Sequence, residues 1–175
     1  MAAKLLYQGR LFSVVSQSIE RPGGGFVERE WIRHPGAVTV VPWLDDERVC
    51  LIRNRRVAVG RELIELPAGT LDPNESPEET ARRELAEETG YRAAQFRKLH
   101  EFFMSPGILN ERMHLFLATG LVPGETAREP GEEIDNLIVS WEEALAMADD
   151  GRIQDAKSLV GLFACERLFR RSGPK

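Results

Sequence analysis

The alternation of apolar and polar residues predicts a chain that begins as β-structure. Residues 4–20 and 26–34 have the composition of strands, and they flank the segment "RPGGG", whose glycines permit the positive backbone angles of a turn. Further apolar strands are predicted at residues 37–44, 48–55 and 62–66, and then at 95–103, 112–122 and 136–141. Together these segments predict a mixed sheet as the core of the fold.

Helices are predicted in the remaining segments. Residues 141–151 and 155–171 carry apolar side chains at helical spacing, which favours two helices that cover one face of the sheet; a partner-binding helix is the alternative interpretation of such a stripe. A third helix is predicted from Ser76 to Thr89. Ser76 and Glu79 form a capping box around Pro77, and Gly90 suits a left-handed C-terminal cap.

That third helix carries an unfavourable arrangement of charge. Glu84, Glu87 and Glu88 fall at positions i, i+3 and i+4, so their carboxylates project from one face and repel one another. Glu87 and Glu88 also lie in the last turn, where the helix dipole disfavours anions. A solvated acidic face with an Arg83–Glu87 pair is one interpretation. A divalent cation bound by oxygen ligands is the other, and it would resolve the conflict.

Composition limits the classes of protein to which the chain can belong. Its 175 residues, 42% hydrophobic and 29% charged, suit one globular domain, and a net charge of -5 argues against binding of long nucleic acids. Two widely separated cysteines do not form a disulfide framework, and no apolar run is long enough to span a bilayer. We therefore expect a cytoplasmic protein without a membrane segment.

The segment around the glutamate helix resembles the Nudix box, G-x5-E-x7-R-E-U-x-E-E-x-G-U, where U is a bulky apolar residue. Every fixed position is filled, and only the last residue stretches the apolar class. The matching residues are Gly69, Glu75, Arg83, Glu84, Leu85, Glu87, Glu88, Gly90 and Tyr91. The resemblance implies an α/β fold, the Nudix α/β/α sandwich with a mixed central sheet and an N-terminal antiparallel β-extension. Residues 1–35 would form the extension, used for dimerisation, and residues 36–175 the hydrolase domain.

A larger part of the chain, from about Arg29 to Phe169, is similar to one branch of that family, the ADP-ribose pyrophosphatases and related nucleoside-diphosphate-sugar hydrolases. The similarity lies in the segments "HPGAVTVVP", "LIRNRR", "ELPAG", "SPGILNERMHLFLA" and "GEEIDNLIVSWEEAL". One departure is Asn54, which stands where the branch usually has a glutamine.

The resemblance assigns metal ligands to the helix. Glu84 and Glu88 would be the principal ligands of Mg²⁺, with Mn²⁺ as the alternative ion, while Glu87 assists and the carbonyl of Ala68 completes the site. Arg83 would orient a carboxylate. Two further glutamates stay open: Glu75 either binds metal or pairs with Arg83, and Glu65 is either a supporting residue behind the site or a surface charge at a strand end.

The same resemblance assigns substrate contacts. Arg56, and Arg29 from the N-terminal sheet, would contact the phosphates; for both, a surface arginine is the plain alternative. Ser105 and Glu111 would line the second ribose, since a carboxylate can accept hydrogen bonds from two sugar hydroxyls. The alternative for Glu111 is a strand-start charge paired with Arg112.

The resemblance also implies a catalytic base in an acidic loop ahead of the last strand, which is "EPGEEIDN" in this sequence. Glu133 is the first candidate and Glu132 the second, with a solvated turn as the alternative. The three histidines occur singly without metal-ligand spacing, and no Ser-His-Asp or Cys-His arrangement is visible in the sequence. This favours attack by an activated water over a covalent intermediate.

The function implied is metal-dependent hydrolysis of the diphosphate of ADP-ribose, giving AMP and ribose 5-phosphate, or of a similar nucleoside-diphosphate sugar. Other substrates remain open, namely GDP-mannose, a dinucleotide or a capped RNA end, as does a non-catalytic module that senses a nucleotide. A homodimer joined through the N-terminal strands is also expected, because "LFSVV" offers an edge strand that invites pairing.

Overall fold

The N-terminal strands form a sheet of their own. The computed structural model describes residues 3–44, 47–127 and 133–172, without the side chains of Arg171 and Ser172. Strands β1 (Lys4–Gln8), β2 (Ser13–Glu20) and β3 (Phe26–Arg33) pair antiparallel in that order. The prediction of a single strand over residues 4–20 was wrong. The Gly9 amide donates to the Phe12 carbonyl at 2.9 Å, which closes a turn and folds β1 back on β2.

The central sheet has seven strands: β4 (Ala37–Leu44), β5 (Arg48–Arg56), β6 (Arg61–Glu65), β7 (Ala68–Thr70), β8 (Arg92–Phe103), β9 (Arg112–Val122) and β10 (Ile134–Ser140). The strand order is β10-β5-β4-β9-β8, with β6 added to β5 and β7 to β4. Strands β4 and β9 run parallel and the other pairs antiparallel, so the sheet is mixed as predicted. Strand β7 was not predicted, because three residues are too few to form a pattern.

Three helices accompany the sheet: α1 (Pro77–Thr89), α2 (Trp141–Asp149) and α3 (Ala156–Ser172). The local signals at α1 are confirmed. The Ser76 hydroxyl accepts from the Glu79 amide, the Glu79 carboxylate accepts from the Ser76 amide at 2.8 Å, and Gly90 ends the helix with φ 79°. Helix α2 is capped by the Ser140 hydroxyl in the same manner.

The helices lie on opposite faces of the sheet. Ala81 and Leu85 of α1 pack against Val38, Val40 and Phe116. The intervening residues of β4 and β9 point the other way and meet α2 and α3 in a second core that contains Val41, Leu115, Leu117, Trp141, Met147, Leu162 and Cys165. Because successive side chains of a strand point to opposite faces, one sheet supports both layers. The architecture is therefore the expected α/β/α sandwich.

The loop between β8 and β9 joins the N-terminal sheet to the rest of the chain. The Ile32 amide donates to the Ile108 carbonyl at 2.8 Å, and the Asn110 amide donates to the Ile32 carbonyl at 3.1 Å. A side-chain contact adds to these, from the His34 amide to Asn110 Oδ1 at 2.8 Å. The division of the chain at residue 35 stays a prediction. Among the described residues, no helix has both the length and the apolar character needed to cross a bilayer.

Candidate active site

Arg83 contacts two carboxylates of α1, those of Glu84 and Glu87, and that of Glu75 in the loop before the helix. Its Nη2 donates to Glu75 Oε2 at 3.0 Å, and its Nη1 donates to Glu84 Oε1 at 2.6 Å and to Glu87 Oε2 at 3.0 Å. The pKa of the Arg83 guanidinium is raised, first by the hydrogen bond with Glu75 and then, against the effect of burial, by Glu84 and Glu87. In the structure Glu75 pairs with Arg83, one of its two alternatives, and a role of Glu75 in metal binding stays a prediction. The repulsion expected among the glutamates is partly neutralised within the protein.

Strand β7 passes directly over Glu84 of α1. A Cβ built at Gly69 would lie 1.9 Å from the carboxylate carbon and from one carboxylate oxygen of Glu84. This is far below any contact that real Cβ atoms make, so a side chain at residue 69 would displace the carboxylate end of Glu84. The absence of a Cβ at Gly69 allows the strand and this carboxylate to approach so closely.

Glu88 lies deeper than the other two carboxylates of the cluster. It is only 4% exposed, and its Oε2 accepts a hydrogen bond from the Ala68 amide at 2.9 Å. A buried carboxylate needs such partners, because an unpaired charge away from water is costly. The backbone of β7 therefore contacts the cluster at two successive residues: the Ala68 amide at Glu88 and the Gly69 backbone at Glu84.

The donor chemistry of this cluster suits a hard divalent cation. Glu84, Glu87 and Glu88 offer carboxylate oxygens on one helix face, and the close approach of Gly69 leaves room for backbone oxygens beside them. Within residues 3–44, 47–127 and 133–172, no three acidic, histidine or cysteine side chains are already grouped to chelate one ion.

Arg56 extends from the end of β5 and is gripped by Glu65 of β6. Its Nε donates to Glu65 Oε1 at 2.8 Å and its Nη2 to Glu65 Oε2 at 2.6 Å, a bidentate pair. Glu65 is 1% exposed, so it is a supporting residue behind the site and not a surface charge at a strand end. The hydrogen bond with Glu65 is the largest cause that raises the pKa of Arg56, and the charges of Glu65 and Glu88 add to it. The Arg56 side chain keeps 40% of its surface exposed, so one edge of the guanidinium is available.

Glu133 lies just ahead of β10 and near the end of β5. Its carbonyl accepts from the Arg55 amide at 3.3 Å, and its Oε2 lies 3.8 Å from Arg55 Nε in an exposed ion pair. The preceding described segment ends at Ala127, whose amide donates to the carbonyl of Glu87 on α1 at 3.0 Å. One flank of the acidic loop is therefore attached to α1 and the other to β5. Glu132, the second candidate base, lies outside the described residues.

The other substrate residues predicted from the sequence lie further from α1. Arg29 is exposed on β3 opposite Gln17, and no hydrogen bond or ion pair joins it to α1 in the described part of the chain. Ser105 lies in the loop after β8, where its carbonyl accepts from the Ile108 and Leu109 amides at 3.0 Å. The structure does not bring these residues into contact with the glutamate cluster.

Glu111 lies at the other end of that loop. Its Oε1 is 3.9 Å from His34 Nδ1. The alternative partner proposed for it was Arg112, and this was wrong, because Arg112 pairs with Glu101 at 3.1 Å.

The sequence did not reveal two features beside these residues. One is an open cavity of about 200 Å³ lined by Trp31, Phe103, Pro106, Leu109 and Asn110. The other is Lys157 at the start of α3, whose Nζ donates to Glu65 Oε2 at 2.5 Å. Both join residues far apart in the chain, so no local pattern signals them. The apolar periodicity of α3 predicts a helix that packs on the sheet. It does not predict the contact of Lys157 with Glu65.

Comparison with known proteins agrees with this geometry. The model of the NUDIX domain matches residues 33–160. The chain is 36% identical over 164 residues to an ADP-ribose pyrophosphatase of Bacillus subtilis (strain 168), covering 93% of this chain and 89% of that protein. It is 39% identical over 139 residues to a GDP-mannose pyrophosphatase of Enterobacter sp. (strain 638), covering 73% and 71%.

A solved structure extends this similarity to the fold. A crystal structure described as an ADP compounds hydrolase superposes with a TM-score of 0.84 at 26% identity, covering 99% of this chain and 94% of that one. The match to the family model spans most of the chain and includes the whole glutamate helix. The protein therefore belongs to the Nudix family and is a pyrophosphohydrolase of that family.

Proposed function

We propose that this protein hydrolyses the diphosphate of ADP-ribose, releasing AMP and ribose 5-phosphate, with Mg²⁺ as its metal ion. The observation that carries the proposal is the contact between the Gly69 backbone and Glu84, beside the buried Glu88. This contact brings a carboxylate of the cluster against the backbone of β7. The B. subtilis relative, an ADP-ribose pyrophosphatase, supports the choice of substrate.

The dimensions of the sheet suit an elongated substrate. Gly69, Val38, His114 and Glu101 are lateral neighbours on β7, β4, β9 and β8. Three steps of strand spacing place the first and last of them roughly 14 Å apart. The aromatic cavity lies two residues beyond Glu101, at Phe103. A molecule that reaches from the helix cluster to this cavity must carry a further group beyond its diphosphate. A nucleoside-diphosphate sugar carries one on each side of the diphosphate.

Each part of the site suits one part of that substrate. Trp31 and Phe103 line the cavity with aromatic side chains, which favour a flat heterocycle or a sugar ring over a charged group. Arg56, with one edge fixed by Glu65, presents its other edge to phosphate oxygens. Arg83 holds Glu84 and Glu87 in place on the helix.

When bound, Mg²⁺ would neutralise the diphosphate and lower the pKa of an attacking water. Glu84, Glu87 and Glu88, with the Ala68 carbonyl, are the residues that would hold it. Glu133 would accept the proton of the water. It is attached to Arg55 of β5, and the chain on the other side of its loop is attached to Glu87 of α1 through Ala127. No side chain of the site would need to form a covalent intermediate.

A different nucleotide sugar is the second candidate, because the Enterobacter relative is a GDP-mannose pyrophosphatase. A panel assay decides between them. Purified protein is incubated with Mg²⁺ and equal concentrations of ADP-ribose, GDP-mannose, a dinucleoside diphosphate and a capped RNA fragment, and the products are separated by chromatography. We expect AMP from ADP-ribose as the fastest product. Turnover of GDP-mannose without turnover of ADP-ribose would overturn the proposed substrate, and binding without any product would indicate a nucleotide sensor.

We also propose that two copies pair through the N-terminal sheet. Strand β1 is exposed at all five residues, and Leu5, Tyr7 and Leu11 each have more than half of their surface exposed. Such a patch on an edge strand favours burial against a second copy. Light scattering should give twice the chain mass at micromolar concentration, and replacing Leu5 and Leu11 by lysine should give a monomer. Val57→Lys, at a separate exposed apolar residue, is the control and should stay dimeric.

A cytoplasmic location also stays a prediction. Cys50 and Cys165 are free and buried, and burial raises the pKa of the Cys165 thiol to about 12. Neither feature requires an oxidising compartment.

A further inference from the structure

A buried group of charges connects the start of α3 to Arg56. Glu65 Oε2 accepts from both Arg56 Nη2 at 2.6 Å and Lys157 Nζ at 2.5 Å. The side chains of Glu65 and Lys157 are 1% and 7% exposed, whereas that of Arg56 is 40% exposed. Glu65 thus accepts hydrogen bonds from a buried lysine and from an arginine that is partly exposed to solvent.

Lys157 is itself fixed by the first turn of α3. Its Nζ donates to Asp155 Oδ2 at 2.9 Å, and the same oxygen accepts from the Ser158 amide at 3.0 Å and from the Ser158 hydroxyl at 2.5 Å. The Ser158 hydroxyl in turn accepts from the Leu66 amide at 2.7 Å. The helix start therefore grips both the side chain of Glu65 and the backbone of the next residue.

The charges in this group balance. Arg56 and Lys157 supply two cations and Glu65 and Asp155 two anions, so the group is neutral when complete. Burial alone would raise the pKa of Glu65, but the hydrogen bond from Arg56 and the charge of Lys157 outweigh it and hold the pKa below its ordinary value. Without Lys157, Oε2 of Glu65 would keep only its hydrogen bond from Arg56, and the carboxylate would lose the buried cation that fixes its position.

We propose that Lys157 is a positioning residue for hydrolysis: it fixes the carboxylate of Glu65 and, through it, the direction in which Arg56 presents its guanidinium to the diphosphate. This inference rests on the proposed function. The Nε and Nη2 edge of Arg56 is committed to Glu65, so the orientation of Glu65 decides where the remaining donors of Arg56 point. The segment that carries Glu65 continues to Ala68, whose amide donates to Glu88 of α1 at 2.9 Å, so the same stretch of chain links Arg56 to the carboxylate cluster.

The experiment is a double-mutant cycle between Lys157→Met and Arg56→Met, read as kcat and KM for ADP-ribose at saturating Mg²⁺. Methionine keeps the length of the lysine stem and removes its charge. Because small misplacements of a positioning group cost up to about 100-fold, we expect Lys157→Met to lower kcat/KM by roughly 10- to 100-fold. In the Arg56→Met background the same replacement should change kcat/KM by less than about twofold, since the group it positions is gone.

Two further measurements separate positioning from general loss of stability. Ser140→Ala removes the cap of α2, which lies outside the charge group, and should lower the melting temperature without changing kcat/KM. The Mg²⁺ concentration for half-maximal activity should be unchanged in Lys157→Met, because the proposed ligands belong to α1. Should Lys157→Met not fold, Lys157→Gln retains a donor toward Glu65 and enters the same cycle, with a smaller loss expected that also vanishes without Arg56.

The outcomes are distinguishable. A wild-type protein that releases no AMP from ADP-ribose refutes the proposed function before any variant is compared. An active wild type with unchanged kcat/KM in Lys157→Met refutes the positioning role. Equal fold losses with and without Arg56 would also refute it, because Lys157 would then act through the backbone of β6 and β7.

Discussion

Gly69 and Glu84 lie so close together that no methyl group fits between them: a Cβ at residue 69 would fall 1.9 Å from the Glu84 carboxylate. Gly69→Ala should therefore displace either the β7 backbone or Glu84. Since small displacements of catalytic groups are costly, we expect kcat/KM for ADP-ribose to fall by about 100-fold or more, while the protein still folds. Steady-state kinetics and circular dichroism measure the two effects.

Gly151→Ala is the matched control for this prediction. Gly151 has φ 81° and open space where a Cβ would lie, so alanine there strains the backbone without meeting another group. It should lower the free energy of unfolding by about 1–2 kcal/mol and leave kcat/KM unchanged. If Gly69→Ala and Gly151→Ala have the same small effect on kcat/KM, the contact between Gly69 and Glu84 has no catalytic role.

Local signals explain why the sequence predicted some elements well. The capping box at Ser76 and the C-terminal Gly90 delimit α1, and the apolar runs of β4 and β9 coincide with the observed strands, because each signal depends on neighbouring residues. Glu65 and Lys157 are 92 residues apart, and their pairing depends on where α3 docks. The same holds for Trp31 and Phe103. Such contacts arise from tertiary packing, which one sequence does not encode in any short pattern.

The contacts of Arg83 show what helical spacing alone does not determine. Helical spacing places Glu84, Glu87 and Glu88 on one face, and this predicted repulsion that a metal ion would relieve. Spacing also predicted the Arg83–Glu87 pair, and pairing of Arg83 with Glu75 was one of two alternatives for that glutamate. The contact of the same guanidinium with Glu84 was not predicted. Side-chain direction decided this, and it depends on the path of the loop between β7 and α1.

Glu65 should make the stability of the protein depend on pH. In Glu65→Gln, Arg56 and Lys157 lose their shared buried anion, and the free energy of unfolding at pH 7 should fall by about 3–5 kcal/mol. The folded-state pKa of Glu65 is lowered, so its contribution is present above the ordinary glutamate value of about 4.3 and is lost as the pH falls through the folded-state pKa. The difference between wild type and variant should therefore shrink in acid.

Urea unfolding at pH 7, 5 and 3 measures this difference. Glu62→Gln serves as the control, because Glu62 forms an exposed pair with Arg53 at 3.8 Å and should contribute little at any pH. A Glu65→Gln deficit that stays constant from pH 7 to pH 3 would mean that packing, and not the charge of Glu65, accounts for the loss.

Glu133→Gln should lower kcat by about 100-fold or more with little change in KM, as expected for a base that acts mainly in the transition state. Glu62→Gln is again a close match, since Arg53–Glu62 and Arg55–Glu133 are both exposed pairs at 3.8 Å near the end of β5. It should leave kcat unchanged. An unaltered kcat in Glu133→Gln would transfer the role of the base to Glu132 or to a glutamate of α1.

The last prediction tests the metal site through stability, without an activity assay. In EDTA, Glu88→Gln should melt within about 3 °C of wild type, because the Ala68 amide still finds an acceptor oxygen. The loss of charge also relieves repulsion from Glu84 and the conflict with the helix dipole, which together amount to at most about 1 kcal/mol. Differential scanning calorimetry with EDTA and with Mg²⁺ gives the four melting temperatures required.

Excess Mg²⁺ should separate the two proteins. At a concentration 100 times its Kd, a ligand that binds only the folded state adds about 2.7 kcal/mol, which for a chain of this size raises the melting temperature by roughly 5–10 °C. Wild type should gain this shift and Glu88→Gln should lose most of it, since an amide is a poorer ligand for a hard cation. Glu78→Gln, in the exposed first turn of the same helix, should keep the full shift. A solvated acidic face predicts no difference among the three, so an equal Mg²⁺ shift in Glu88→Gln would remove Glu88 from the ligand set.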